Sequence, residues 1–206
     1  MYRSPVGVIV TLTLGILLAP LCADAQQPAK IPRIGIIEYA ASWEPFLQGL
    51  RGLGYVEGQN IAIEYRSAEG KPDRLANVAA ELVRLKVDVI VTLGTPATLA
   101  AKQATQTIPI VMVGIGDPLR TGLVASLARP GGNITGLTIF GPELGAKRLE
   151  LLKEVVPKFS RVAFLWNPAN QATAVNFENA QAGARAFGVA LQSVEVSSPA
   201  DRKSVV

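Results

Sequence analysis

The sequence predicts an α/β protein with two doubly wound parallel-sheet lobes, the second of them truncated. Three observations carry this. Apolar runs of strand length alternate with stretches whose apolar residues recur at helical spacing. The run Val87–Leu93 is nearly all apolar, as a strand covered on both faces must be. After a helix at Gly141–Val155, the strand–helix alternation starts again at Arg161. Such alternation demands a parallel sheet with right-handed crossovers.

Arg33–Glu38 reads as a buried strand, and Phe46, Leu50 and Leu53 then repeat at helical spacing until Gly54. Gly58-Gln59-Asn60 turns the chain into strand Ile61–Arg66. Pro72 opens a helix whose inward face is Leu75, Val78, Ala79, Leu82 and Val83. Strand Val87–Leu93, helix Ala97–Thr105, strand Ile110–Val113, helix Leu119–Leu127 and strand Ile134–Ile139 complete a first lobe, residues 30–139.

The restart suggests an internal repeat. Arg33-Ile34-Gly35-Ile36-Ile37 aligns with Arg161-Val162-Ala163-Phe164-Leu165, and the following helices end in Leu53-Gly54-Tyr55 and Phe187-Gly188-Val189. Ile139–Gly141 is then a hinge between two similar lobes. The second lobe, residues 140–206, holds strand Arg161–Trp166 and strand Val189–Val196 and stops soon after Asp201. A lobe matching the first needs roughly twice the residues available, so a fragment of a longer protein is expected.

The chain starts with a secretory leader pattern, residues 1–25. Arg3 supplies a positive start, Val6–Ala19 an apolar run, and Ala23-Asp24-Ala25 a small-x-small cleavage site before Gln26. A membrane anchor needs about 20 apolar residues, and this run is shorter and broken by Pro20. Cys22 follows Leu21, where lipid attachment wants a small residue. A soluble exported protein, periplasmic in location, is expected.

Cys22 is the one cysteine, so the processed chain has none, and the sequence contains no histidine. That excludes disulfides, thiolate metal sites, a cysteine nucleophile and a Ser-His-Asp triad. With no clustered carboxylates either, no enzyme, no catalytic residue, no metal site and no cofactor is expected. The net charge is +4, and the Lys and Arg residues are scattered and form no stripe, which argues against nucleic acid.

Several segments carry a family resemblance. They are Leu53-Gly54-Tyr55-Val56-Glu57-Gly58-Gln59-Asn60, Ala80-Glu81-Leu82-Val83, Val87-Asp88-Val89-Ile90-Val91, Ile108-Pro109-Ile110-Val111 and the long run from Asp117 to Gly136, with its Pro130-Gly131-Gly132-Asn133 turn. In these the chain resembles the ABC-transporter substrate-binding proteins of the tryptophan/tyrosine-binding type, over Ile34 to about Val196. The resemblance implies the type I periplasmic-binding-protein fold, a two-lobed clamshell closing about a hinge on a small-molecule ligand, and an ABC permease as membrane partner. A monomer is expected. The chain departs from the family where the second lobe stops. A ligand-sensing module feeding a membrane signalling partner is the alternative.

A cleft binder places its ligand between the strand carboxyl edges of both lobes. In the first lobe those edges carry Tyr39, Ser42 and Trp43, then Gly94-Thr95-Pro96, then Gly114-Ile115-Gly116-Asp117; in the second, Asn167-Pro168-Ala169-Asn170. Ser42 reads as a helix N-cap, either a plain cap or part of an anion site at the helix start. In Gly94-Thr95-Pro96, Gly allows close approach, Thr caps and donates, and Pro sits at N1. Asp117 caps the next helix, accepts from a ligand ammonium group, or does both, one carboxylate oxygen capping while the other faces the cleft. Tyr39, Trp43, Phe140 at the hinge and Trp166 stand where they could sandwich a flat ligand, with a core position as the alternative for Trp43 and Trp166. Asn167 and Asn170 either bind or cap their own loop. Gly122, Gly131, Gly132 and Gly136 are assigned to turns and close packing. Helix N-termini beside an acid and aromatics suit a small zwitterion such as an amino acid.

Overall fold

The computed structural model describes residues 30–37, 43–139, 141, 144–197 and 201. The expected leader at residues 1–25, Tyr39, Ser42 and Phe140 lie outside them.

Strand β1 (Arg33–Ile37) buries Ile34, Ile36 and Ile37 on both its faces, as a strand between two helical layers must. Strands β2 (Ala62–Arg66), β3 (Val89–Leu93), β4 (Ile110–Gly116) and β5 (Ile134–Ile139) join it in one all-parallel sheet of order β2-β1-β3-β4-β5. On one face lie α2 (Leu75–Arg84), entered through a 3-10 turn at Pro72–Arg74, and α3 (Thr95–Ala104). Their Leu75, Val78, Ala79, Leu82, Ala97 and Ala101 pack with Ile37, Ile90 and Ile110. On the other face α1 (Glu44–Gly52) sets Phe46 and Leu50 against Ile34, Ile36, Ile61 and Val91. Gly35 lets α2 approach the sheet, since a Cβ there would meet Leu82 Cδ1 at 2.9 Å.

After α4 (Gly145–Val155), strand β6 (Arg161–Trp166), helix α5 (Gln171–Ala186) and strand β7 (Ala190–Glu195) form a second parallel unit. It repeats the opening one in register: Arg33 pairs with Ala62, and Arg161 pairs with Ala190 after the same interval of chain. Gly145 and Gly183 allow α4 and α5 to cross closely; a Cβ on Gly183 would lie 2.8 Å from Ala146 Cα. Among the described residues no helix is long and apolar enough to cross a membrane.

The sequence reading needs correction in three places. The expected helix Leu119–Leu127 is a string of turns. Asp117 (φ 43°) and Gly122 (φ 68°) both take the left-handed region, which a continuous helix does not tolerate. The N–H groups of Leu123 and Val124 return to Pro118 O, and Lys102 Nζ donates to Gly122 O. Strand β4 runs on to Gly116 through a bulge between Met112 and Ile115, so Gly114-Ile115-Gly116 is strand and not loop. Leu53 caps the end of α1 in solvent and is not part of its buried face.

Candidate functional site

In the order β2-β1-β3, the chain winds outward in both directions from β1 and β3, and ligands of open α/β sheets sit at that switch, beyond the strand carboxyl ends. A cavity of about 190 Å³ lies there. Its walls come from the segment after β2 (Ala68, Gly70, Lys71), the start of α2 (Pro72, Leu75), the end of β3 (Leu93) and the first turn of α3 (Pro96, Ala97). A groove of about 220 Å³ shares Pro72, Leu75 and Pro96 with it and reaches Ala169 and Gln171 of the second unit. The cavity wall is mainly apolar.

Gly94, at φ 81°, is the N-cap residue of α3, with Thr95 and Pro96 as its first two helical residues. This corrects the expected capping role of Thr95. The turn is held from below: Thr98 Oγ1 donates to Gly94 O at 2.8 Å and so accepts from Thr92 Oγ1 at 2.7 Å. The Thr95 hydroxyl is buried at 2 % exposure and has no hydrogen-bond partner among the described residues. Buried polar groups are nearly always paired, and an unpaired one asks for an explanation.

The other expected residues divide. Gly116 is buried as the last residue of β4 and pairs with Ile139, which makes it part of the sheet. Asp117 follows it; its Oδ1 accepts from Arg120 N at 3.0 Å and its carbonyl from Thr121 N and Oγ1, so it organises a turn and caps no helix. Trp43 is a core residue, 4 % exposed and edge-on to Phe46, because its place at the start of α1 turns it under the sheet. Trp166 stacks on Phe177 at 5.3 Å and donates through Nε1 to Ser193 Oγ at 2.8 Å. Asn167 Oδ1 accepts from Ala169 N at 2.9 Å, and Asn170 is the N-cap of α5, accepting from Ala172 N at 3.1 Å. Both asparagine oxygens therefore serve their own loop.

The structure thus brings Pro96, the residue after Gly94 and Thr95, to one groove with Ala169 and Gln171 of the second half. Sequence reasoning missed Ala68, Leu75, Leu93 and Ala97 as cavity walls; each is an ordinary apolar residue, and only the strand order places them at the switch point. Among the described residues no group of three or more His, Cys, Asp or Glu is placed to hold a metal ion.

A doubly wound parallel sheet with a cavity at its switch point, followed by a second β-α-β unit, is the arrangement of the type I periplasmic-binding-protein fold. The family model described as ABC transporter substrate binding protein matches residues 39–206, and the chain belongs to that family. It is 32% identical over 148 residues to a tyrosine-binding protein of Clostridioides difficile, an alignment covering 70% of this chain and 42% of that protein. It resembles a solved conserved domain protein of Vibrio cholerae (TM-score 0.79, 30% identity, 85% of this chain, 60% of that one). It also resembles an ABC domain from Streptococcus pneumonia solved in complex with L-Trp (TM-score 0.76, 26% identity, 84% and 60%). The chain therefore spans less than half of the curated relative and three fifths of each solved chain.

Proposed function

We propose that this chain is the extracytoplasmic solute-binding component of an ABC import system and that it captures an amino acid between residues 30–139 and 140–206. The observation that carries the reading is the Thr95 hydroxyl, buried without a partner among the described residues on the first turn of α3, whose next residue, Pro96, lines the switch-point cavity. Free N–H groups at a helix start favour an anion, and a hydroxyl on the same turn adds a further donor for a carboxylate. Asp117, whose Oδ1 is engaged with Arg120 N, keeps its second carboxylate oxygen for an ammonium group. The names of the relatives, a tyrosine-binding protein and a domain holding L-Trp, support an amino-acid ligand.

Closure about residues 139–141 supplies the mechanism. A ligand touching both halves binds the closed state better than the open one and shifts the population toward it. A dissociation constant near 1 μM corresponds to about 8 kcal/mol of net binding free energy. The closed surface is then what a permease reads. Export by the leader at residues 1–25 places the chain where such a permease takes up its cargo. No catalytic step is part of this function.

Isothermal titration of the protein with the common L-amino acids tests the reading. Heat of binding with at least one of them is expected, together with a rise in melting temperature that grows with ligand concentration. No heat with any of them overturns it.

A further inference from the structure

The second unit is open on one side. Strand β6 pairs with β7 and, among the described residues, with no other strand. Ala190 N donates to Ser160 O and Val196 N to Trp166 O, so by alternation Val162 and Phe164 also face β7. Arg161, Ala163 and Leu165 turn their N–H and C=O groups to the free edge. Their counterparts in the repeated unit are Arg33, Gly35 and Ile37, and there the same edge is taken by β3, with Asp88 N donating to Arg33 O at 2.8 Å. Neither a proline nor a bulge blunts the β6 edge, which leaves it a template for another strand.

Helix α4 continues this open side. Leu149 is buried against Val162 and Ala184, and a Cβ on Gly145 would lie 3.2 Å from Ala180 N of α5. Away from α5, α4 carries Leu144 at its N-cap, Leu151 and Val155 at helical spacing, all exposed and Val155 at 79 %. A helix apolar on opposite sides is one that is covered on both. Lys147 and Glu154 flank the outer stripe on the same side. Lys147 Nζ bridges Glu150 Oε1 at 2.9 Å, while Glu154 makes no ion pair among the described residues.

We infer that α4 and the free edge of β6 form the contact surface for a second copy of this chain, related to the first by a two-fold axis. This takes the place of the monomer expected from the sequence. Across such an axis the same patch meets itself. β6 runs antiparallel to the partner's β6 around Ala163, so each outward N–H meets a C=O and the sheet becomes four-stranded. α4 runs antiparallel to the partner's α4 around Leu151, covering the apolar stripe. That pairing sets Lys147 beside the partner's Glu154, and Glu154 beside the partner's Lys147. The charges are self-complementary, which favours a second copy over an unrelated protein. The Lys147 ammonium has three donors, enough for Glu150 and the second carboxylate together. None of these residues lines the switch-point cavity or its groove, so pairing and solute binding use different surfaces.

The test is sedimentation velocity over a concentration series, on the native chain and on variants shown to be folded by circular dichroism. The native chain is expected to pass from monomer to dimer as concentration rises. Glu154→Lys sets like charges opposite each other twice and is expected to weaken the dimer about tenfold or more. The double variant Lys147→Glu/Glu154→Lys exchanges the signs and is expected to restore it. Ala163→Pro removes an N–H that points to the free edge and none that bonds β7, so it is expected to weaken the dimer while the fold stays. A monomer at every concentration overturns the proposal. So does a dimer indifferent to either single substitution, or open-ended assembly, since two-fold pairing uses up the edge. Should Ala163→Pro fail to fold, the charge exchange alone decides.

Discussion

Arg120 Nη2 donates to Glu178 Oε2 at 2.5 Å, joining the turn after β4 in the first half to the middle of α5 in the second. Both side chains are about half exposed (48 % and 60 %), so water and salt screen the pair and its contribution is that of a surface bridge, about 0–1 kcal/mol. Glu178→Gln should therefore lower stability by no more than ~1 kcal/mol in urea denaturation. The small difference should vanish in high salt. A loss of several kcal/mol would show that the two halves depend on this contact.

Gly136 in β5 has φ 145°, and a Cβ there would lie 1.9 Å from Met112 O and 2.7 Å from Met112 N. Both obstacles are backbone of the neighbouring strand and cannot swing aside. Gly136→Ala should cost about 3–5 kcal/mol, in the range reserved for strained or disrupted core positions. Its urea midpoint is the measurement; a native-like midpoint would show that β4 and β5 pair differently.

Two helix glycines make a matched pair. Gly49 in α1 is exposed, and a Cβ added there would have nothing within 4 Å, whereas one on Gly183 in α5 would meet Ala146 at 2.8 Å. Helix propensity alone favours alanine over glycine by ~1 kcal/mol at either site. Gly49→Ala should accordingly gain about 0.5–1 kcal/mol. Gly183→Ala should lose a net ~1 kcal/mol or more, because overpacking costs about 1–3 kcal/mol. Equal gains at both sites, read from thermal midpoints, would contradict the close α4–α5 crossing.

Thr95→Val separates stability from binding. The hydroxyl has no partner to lose, so the ligand-free variant should be as stable as the native chain or gain ~1 kcal/mol. Amino-acid affinity should fall at least tenfold, since a hydrogen bond to a charged group contributes about 1.5–3 kcal/mol. Paired melts and titrations check both halves of this statement. A destabilised apo variant would mean that the hydroxyl has a structural partner.

The elements that the sequence foretold well are those in which each residue's fate follows from its immediate neighbours. Strand β3 and helix α2 bury the residues that their periods select: Ile90 and Val91 on opposite faces, and Leu75, Val78, Ala79 and Leu82 on one. The run after Asp117 misled for a physical reason. Leu119, Leu123 and Leu127 fall at helical spacing, yet only Leu123 is buried, while Leu119 and Leu127 are 46% and 61% exposed. Successive turns can bring every fourth residue round as a helix does, and nothing in the spacing distinguishes them. The two tryptophans show the same limit. Trp43 went into the core and Trp166 onto Phe177, outcomes set by which element packs above each ring.

By itself the sequence determined the alternating elements, the parallel sheet, the repeated β-α-β unit and the family. Those features rest on local periodicity, turn residues and long matching runs, all readable within a few dozen residues. Only the tertiary structure decided that the Thr95 hydroxyl is buried without a partner among the described residues and that Asn167 and Asn170 serve their own loop. It alone set Ala68, Leu75, Leu93 and Ala97 around one hollow. The hollow depends on β1 lying between β2 and β3, and strand order is a property of the packed sheet that no local pattern encodes.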